Sequence, residues 1–242
     1  MEYHSPYITI LVTVKNEREN VSLLVKEIVS AFSPTGMNFE ILYVDDGSTD
    51  DTYAVILETQ KSTPQLRAVQ LDKNYGQSTA LLAGIKESHG ELVATLDGDL
   101  QNDPADFTRM IQMLEERSLD MVTGIRSNRH DSTYRRFQSR IANSVRNMIT
   151  GDDIVDSACA VRVFRRKCVD DIARFKGMHR FMPTLFRMAG YRVEQVSVNH
   201  RQRKFGTTKY GMLNRVFKAT SDLFAVRWLQ KNFIRYSITR RD

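Results

Sequence analysis

Apolar residues along this 242-residue chain follow two alternating rhythms. Short continuous runs at 7–14, 39–44, 66–71 and 92–96 have the length and β-branched content of buried strands. Between the first two, Val21, Leu24, Val25, Ile28, Val29 and Phe32 recur at i, i+3, i+4, i+7, i+8 and i+11, the stripe of an amphipathic helix. The same reasoning predicts helices at 50–61, 76–88 and 103–117, the last opened by Asp103 as N-cap with Pro104 in the first turn, and then a strand at 120–123.

Strands and helices alternating at this spacing predict an α/β protein, a mostly parallel sheet with helices on both faces. Beyond Gly124 the pattern loosens. A basic helical stretch at 134–149, a mixed segment at 156–165 and helix-like segments within 167–190 lead to strand-like alternation at 191–198. The polar loop HRQRKFGTTKY follows, and then a helical C-terminus with Leu213, Val216, Phe217, Leu223, Phe224 and Trp228 on related faces. No internal repeat or low-complexity linker interrupts the chain.

With 41% hydrophobic and 26% charged residues, the composition is that of a globular protein with an ample core. No stretch approaches the roughly 18 to 20 apolar residues of a membrane span. The N-terminal MEYHSPYITILVTV lacks a basic leader and cleavage site, so a cytoplasmic location is expected. Cys159 and Cys168 have neither CxxC spacing nor a nearby His pair and read as reduced, buried thiols. Charge is unevenly spread: from 201 to 242 eleven Lys or Arg stand against two Asp, within a net charge of +6. This asymmetry points to an anionic partner for the back half: a phosphate group, a membrane surface or nucleic acid.

Two acidic clusters stand where strands should surface, the positions at which parallel sheets bind ligands. In YVDDGSTD, a turn and helix cap explain Gly47, Ser48, Thr49 and Asp50 but not the doubled Asp45 and Asp46 before them. These carboxylates suit hydrogen bonds from a base N–H or ribose hydroxyls. In ELVATLDGDLQ, Asp97 and Asp99 repel each other unless a proton or cation lies between them. Hard oxygen donors with few His or Cys nearby suit Mg²⁺ or Mn²⁺, which share their coordination with substrate phosphates, and Gln101 adds a neutral oxygen.

The combination VTVKNERENV, EILYVDDGSTDDT, LDKNYGQSTALLAGIKESHGELVATLDGDLQNDP, GIR, DSACAVRVFRR and RKFGTTKYG resembles the family 2 glycosyltransferases of GT-A fold. More narrowly, it is similar to the polyprenol-phosphate branch that includes dolichol-phosphate mannose synthase. The resemblance runs in order over roughly residues 7 to 230. It implies inverting transfer of a sugar from a nucleotide diphosphate donor, UDP- or GDP-linked, to polyprenyl phosphate. It makes Asn16, Glu17, Asp45, Asp46, Ser48 and Asp97 nucleotide contacts, with Asn74, Gly76 and Gln77 near the same side. It makes Asp97, Asp99 and Gln101 the metal set, and Asp97, Asp99 and Arg126 the catalytic group. Arg126, Arg135, Ser139 and Arg203, with Lys209 less firmly, correspond to positions that grip the acceptor phosphate. Asp156 stands on the acceptor side, either orienting a sugar hydroxyl or pairing with Arg162.

By this reading, residues 1–210 form the GT-A catalytic domain, with a nucleotide-binding half at 1–124 and an acceptor half at 125–210. Residues 211–242 form an amphipathic basic helix suited to an anionic membrane surface, which would make the protein peripheral on the cytoplasmic face. Packing against the domain is the competing role for that helix, and a homo-oligomer is compatible with either. The sequence departs from the family at Thr13, where Pro is common, at Gly98, where Ala is commoner, and at Ala160, where Gly is usual. A processive synthase is disfavoured because FAVRW has Phe224 where the QxxRW signature needs Gln. A sugar-hydroxyl acceptor is the enzyme alternative and would need Asp156 as base. A basic nucleic-acid-binding module is the non-enzyme alternative, opposed by the paired acids and by the lack of aromatic–basic interleaving.

Overall fold

A computed structural model describes residues 5–126, 146–202 and 212–234. Its centre is a seven-stranded sheet ordered β3-β2-β1-β4-β6-β5-β7. The strands are β1 (Ile8–Val14), β2 (Phe39–Asp45), β3 (Leu66–Gln70), β4 (Leu92–Asp97), β5 (Met121–Arg126), β6 (Arg162–Arg165) and β7 (Val193–Val198). All neighbours run parallel except β6, which lies antiparallel to both β4 and β5. The expected mixed segment at 156–165 thus contains a strand that the sequence pattern did not single out.

The helices are α1 (Arg18–Phe32), α2 (Thr52–Gln60), α3 (Gln77–Glu87), α4 (Asp106–Glu116), α5 (Met182–Met188) and α6 (Met212–Asn232). One expected start shifts inward. Asp103 accepts the Ala105 N–H at 3.1 Å, closing a turn of its own, and the helix begins only at Asp106. The segment 167–190 holds two 3₁₀ turns, Arg166–Asp171 and Met178–Arg180, before the short α5. Residues 146–150 are helical, in line with the end of the expected basic helix.

Both faces of the sheet are covered, which is why its central strands are buried throughout and read as unbroken apolar runs. Ile10 and Val12 pack with α1 and α4 through Leu24, Ile28, Phe107 and Met110. Leu11 and Val93 face the other layer, made by α3, α5 and the last helix through Leu81, Leu185, Phe186, Leu223 and Val226. The last helix is therefore docked on one side, as the packing alternative required.

After β1 the chain builds β2 and β3 on one side, then crosses to place β4 on the other. The crevice beyond β1 is a topological switch point, where open α/β sheets take ligands. Both acidic clusters end there.

Candidate active site

Val14 at the end of β1 is in register with Asp45, and Thr13 with Asp97. Two strand spacings separate the two aspartates, about 10 Å of backbone across the switch point. Each turn on this rim has a local cause.

Asp45 is fully buried and accepts the Ser48 backbone N–H at 3.0 Å and the Ser48 hydroxyl, while its other oxygen accepts the Gln70 amide at 3.0 Å. Asp46 accepts two backbone N–H groups, from Tyr75 at 2.8 Å and from Gly76 at 2.9 Å. Gly47 between that clamp and Ser48 has φ +62°, and a Cβ there would lie 2.4 Å from the carbonyl carbon of Lys73. Only glycine lets the 45–50 turn close on the 73–76 loop. The Asn16 side chain accepts the Thr49 N–H at 2.8 Å, the Asn16 N–H reaches the Ser48 hydroxyl at 2.8 Å, and the Glu17 N–H donates to Thr52 at 2.9 Å. Of the residues expected to face a nucleotide, Asn16, Glu17, Asp45, Asp46 and Ser48 thus sit in one hydrogen-bonded cradle, while Asp97 stands across the switch point.

Sequence reasoning passed over Tyr75. The residue is 41% exposed, its N–H is held by Asp46, and its ring carries the Lys73 ammonium 5.2 Å from its centre. An aromatic inside a glycine-flanked polar loop was the available signal.

On the other side of the switch point, Gln77 at the start of α3 donates its amide to Asp97 at 2.9 Å. Asp99 is buried and accepts the Gln101 N–H at 3.2 Å, and Leu100 between them has φ +60°, an uncommon conformation for a branched side chain. A Cβ on Gly98 would lie 2.3 Å from Cγ1 of Val14, which accounts for glycine in place of alanine here. The strand leading to the HRQRKF loop passes directly alongside: Arg201 donates its N–H to Gln101 O at 2.7 Å, and Asn102 bridges His200. His200 is part of this pairing.

Among the described residues no group of three or more His, Cys, Asp or Glu gathers as a metal cage. Two carboxylates with an amide oxygen are too few for an all-protein site. They fit a hard divalent ion that completes its shell with diphosphate oxygens.

On the side expected to take the acceptor, Arg126 ends β5 and meets Asp156 side-on, Nε to Oδ2 at 2.7 Å and Nη2 to Oδ1 at 2.8 Å. Burial works to lower the Arg126 pKa, but the bonds to Asp156 outweigh it and raise the pKa above the ordinary arginine value. The expected pairing of Asp156 with Arg162 is not what forms. Arg162 is 4% exposed and donates instead to Ser157 O at 3.1 Å, and burial lowers its pKa. Arg135, Ser139, Arg203 and Lys209 lie outside the described residues.

The model for glycosyl transferase family 2 matches residues 9–173. The chain belongs to that family. Dodecaprenyl-phosphate galacturonate synthase from Rhizobium johnstonii is 36% identical to this glycosyltransferase over 238 residues, 95% of the chain and 68% of the relative. Undecaprenyl-phosphate 4-deoxy-4-formamido-L-arabinose transferase from Salmonella paratyphi B is 32% identical over 207 residues, 85% of the chain and 63% of the relative. The chain thus spans about two thirds of the length of these curated relatives.

Solved structures agree on the GT-A fold. Glucosyl-3-phosphoglycerate synthase from Mycobacterium tuberculosis, in complex with Mn²⁺, UDP and phosphoglyceric acid, superposes with TM-score 0.70 at 16% identity, covering 96% of this chain and 80% of its own. A mannosyltransferase from Pyrobaculum calidifontis, in complex with GDP-mannose and Mn²⁺, gives 0.65 at 16% identity, covering 98% and 67%. The glycosyltransferase assignment sets aside the nucleic-acid-binding alternative.

Proposed function

We propose that this glycosyltransferase moves a sugar, with inversion, from a nucleotide diphosphate donor to polyprenyl phosphate. The observation that carries the reading is the Arg126–Asp156 pair. A sugar-hydroxyl acceptor needs a carboxylate base, and Asp156, the carboxylate expected to serve as that base, has both oxygens bonded to the Arg126 guanidinium. A phosphate acceptor is already ionised near neutral pH and needs cations to hold it beside a negatively charged donor. The curated relatives, both named for polyprenyl-phosphate acceptors, support the same choice.

In this reading Asn16, Glu17, Asp45, Asp46 and Ser48 shape the nucleotide cradle, and Gln77 orients Asp97. Asp97, Asp99 and Gln101 hold Mg²⁺ or Mn²⁺. When bound, the ion would neutralise charge on the departing diphosphate. Arg126 ends β5 and Asp97 ends β4, with the short β6 between the two strands, so in this reading Arg126 serves the acceptor beside the metal turn. Arg203, outside the described residues, stands two positions after Arg201, whose N–H donates to Gln101 O.

Access to a lipid rests on the last helix. Leu223 and Val226 are buried against the domain, while Phe224 and Trp228 are 62% and 64% exposed on the opposite side, with Arg227 and Lys231 exposed around them. Aromatic and cationic residues mixed on one face suit the interface of an anionic leaflet. Among the described residues no helix is long and apolar enough to cross a membrane.

Release of free nucleotide from a panel of UDP- and GDP-sugars, with undecaprenyl phosphate and Mg²⁺ or Mn²⁺, tests the function. Product should need donor, lipid phosphate and metal together. Transfer to free sugars in preference to the lipid would overturn the acceptor assignment. Cosedimentation with anionic vesicles at low salt tests the helix: Phe224→Ala/Trp228→Ala should lose most binding, and equal binding by wild type and variant would exclude this face.

A further inference from the structure

The Arg126–Asp156 pair does more than occupy a carboxylate. A guanidinium has two usable edges. Asp156 fills the Nε/Nη2 edge at 2.7 and 2.8 Å, and its Oδ2 also accepts the backbone N–H of Arg126 at 3.3 Å. The Nη1 side is turned away from Asp156, and the Arg126 side chain keeps 20% exposure. Asp156 is itself held in place. The Cys159 N–H donates to Asp156 O at 3.3 Å, and the buried Arg162 fixes the next carbonyl, Ser157 O, from beneath. Arg162 of β6 is in register with Thr95 of β4 and with Thr123 of β5, the strands that end at Asp97 and Arg126, so the fork and the DGD turn flank the same short strand.

We infer that Asp156 is a positioning residue of the acceptor site, holding Arg126 by one edge so that the other edge is presented, already oriented, to a phosphate monoester. The inference rests on the phosphate-acceptor reading above and adds a role to a residue that was otherwise a candidate base. A free arginine has many rotamers to lose on binding, and a fork fixed beforehand loses fewer. Asp156 then acts on acceptor affinity through Arg126, and touches neither the donor nor the reacting carbon.

The test compares the full chain with Asp156→Asn, Asp156→Ala, Arg126→Ala and the double variant. Binding is measured to phosphatidylcholine vesicles with and without a few mole per cent of undecaprenyl phosphate, and to UDP with Mn²⁺. Wild type should bind the lipid-phosphate vesicles more tightly than the plain ones. Arg126→Ala and both Asp156 variants should lose about tenfold or more of that preference, and the double variant should lose no more than Arg126→Ala alone. UDP affinity, retained in every variant, reports an intact donor half.

In turnover with the donor found by the panel, Asp156→Asn should raise the acceptor KM more than it lowers kcat. A preference unaffected by Asp156→Asn while Arg126→Ala abolishes it would overturn this inference and leave the acceptor reading standing. Additive losses in the double variant, or a kcat collapse at unchanged KM, would also overturn it. Absence of any lipid-phosphate preference in wild type would overturn both.

Discussion

Replacing Asp46 by Asn tests whether the doubled acid of DDGS is an architectural clamp. Both Asp46 oxygens are in use, one on the Tyr75 N–H at 2.8 Å and one on the Gly76 N–H at 2.9 Å, and the residue is 6% exposed. Asparagine keeps a single acceptor and turns an amide N–H₂ toward a backbone donor. The loss is one charge-assisted hydrogen bond, with a buried N–H left unsatisfied, together about 2 to 3 kcal/mol. For a chain of this size each kcal/mol moves the midpoint by about 2 to 4 °C, so the expected fall in Tm is about 5 to 10 °C. Thermal unfolding by circular dichroism measures it, with Asp51→Asn as control because the Asp51 side chain is 77% exposed. UDP affinity with Mn²⁺ should fall in parallel, since the freed 73–76 loop borders the cradle. An Asp46→Asn midpoint within a degree or two of wild type would refute the clamp.

Asp99→Asn should abolish metal-dependent nucleotide release while its midpoint stays close to wild type; normal release with Mg²⁺ or Mn²⁺ would remove Asp99 from the metal set. Gly98→Ala should destabilise by about 1 to 3 kcal/mol, because the new methyl falls 2.3 Å from Val14 Cγ1; chemical denaturation reads this, and a neutral result would show that Val14 can move aside. Burial pushes the thiols of Cys159 and Cys168 up from 9.0 to about 11. Both should therefore resist iodoacetamide at pH 8 until the protein unfolds, and fast labelling of the native protein would contradict their burial. The sign for stability follows: the folded state keeps these protons where the unfolded chain has lost them, so the thiols make stability fall as pH rises from about 9 through 11.

The first 124 residues were largely legible in the sequence. Each strand there is a contiguous apolar run and each helix a periodic stripe, and both signals are local. The same holds for the acidic turns: Asp45, Asp46, Asp97 and Asp99 follow apolar runs directly, so their place on one rim follows from a parallel sheet. The short β6 escaped notice because RVFR has arginine at both ends and becomes a strand only between β4 and β5. Asp103 does make the cap contact expected of it, accepting the Ala105 N–H, but the first turn closes by i+3 bonds from Asp106 and Phe107 to the Asp103 and Pro104 carbonyls, so the α-helix proper begins three residues later.

What the sequence by itself determined is the inventory and its order: an α/β alternation, two acidic strand ends, a basic back half and a family-wide set of motifs. Only the tertiary structure decided the pairings. Asp156 lies six residues from Arg162 but bonds Arg126, thirty residues away. The last helix both packs and exposes an aromatic face, and residues 200–201 run beside Gln101. Side-chain partners are chosen by distance after the sheet has formed, and separation along the chain carries almost no information about that distance.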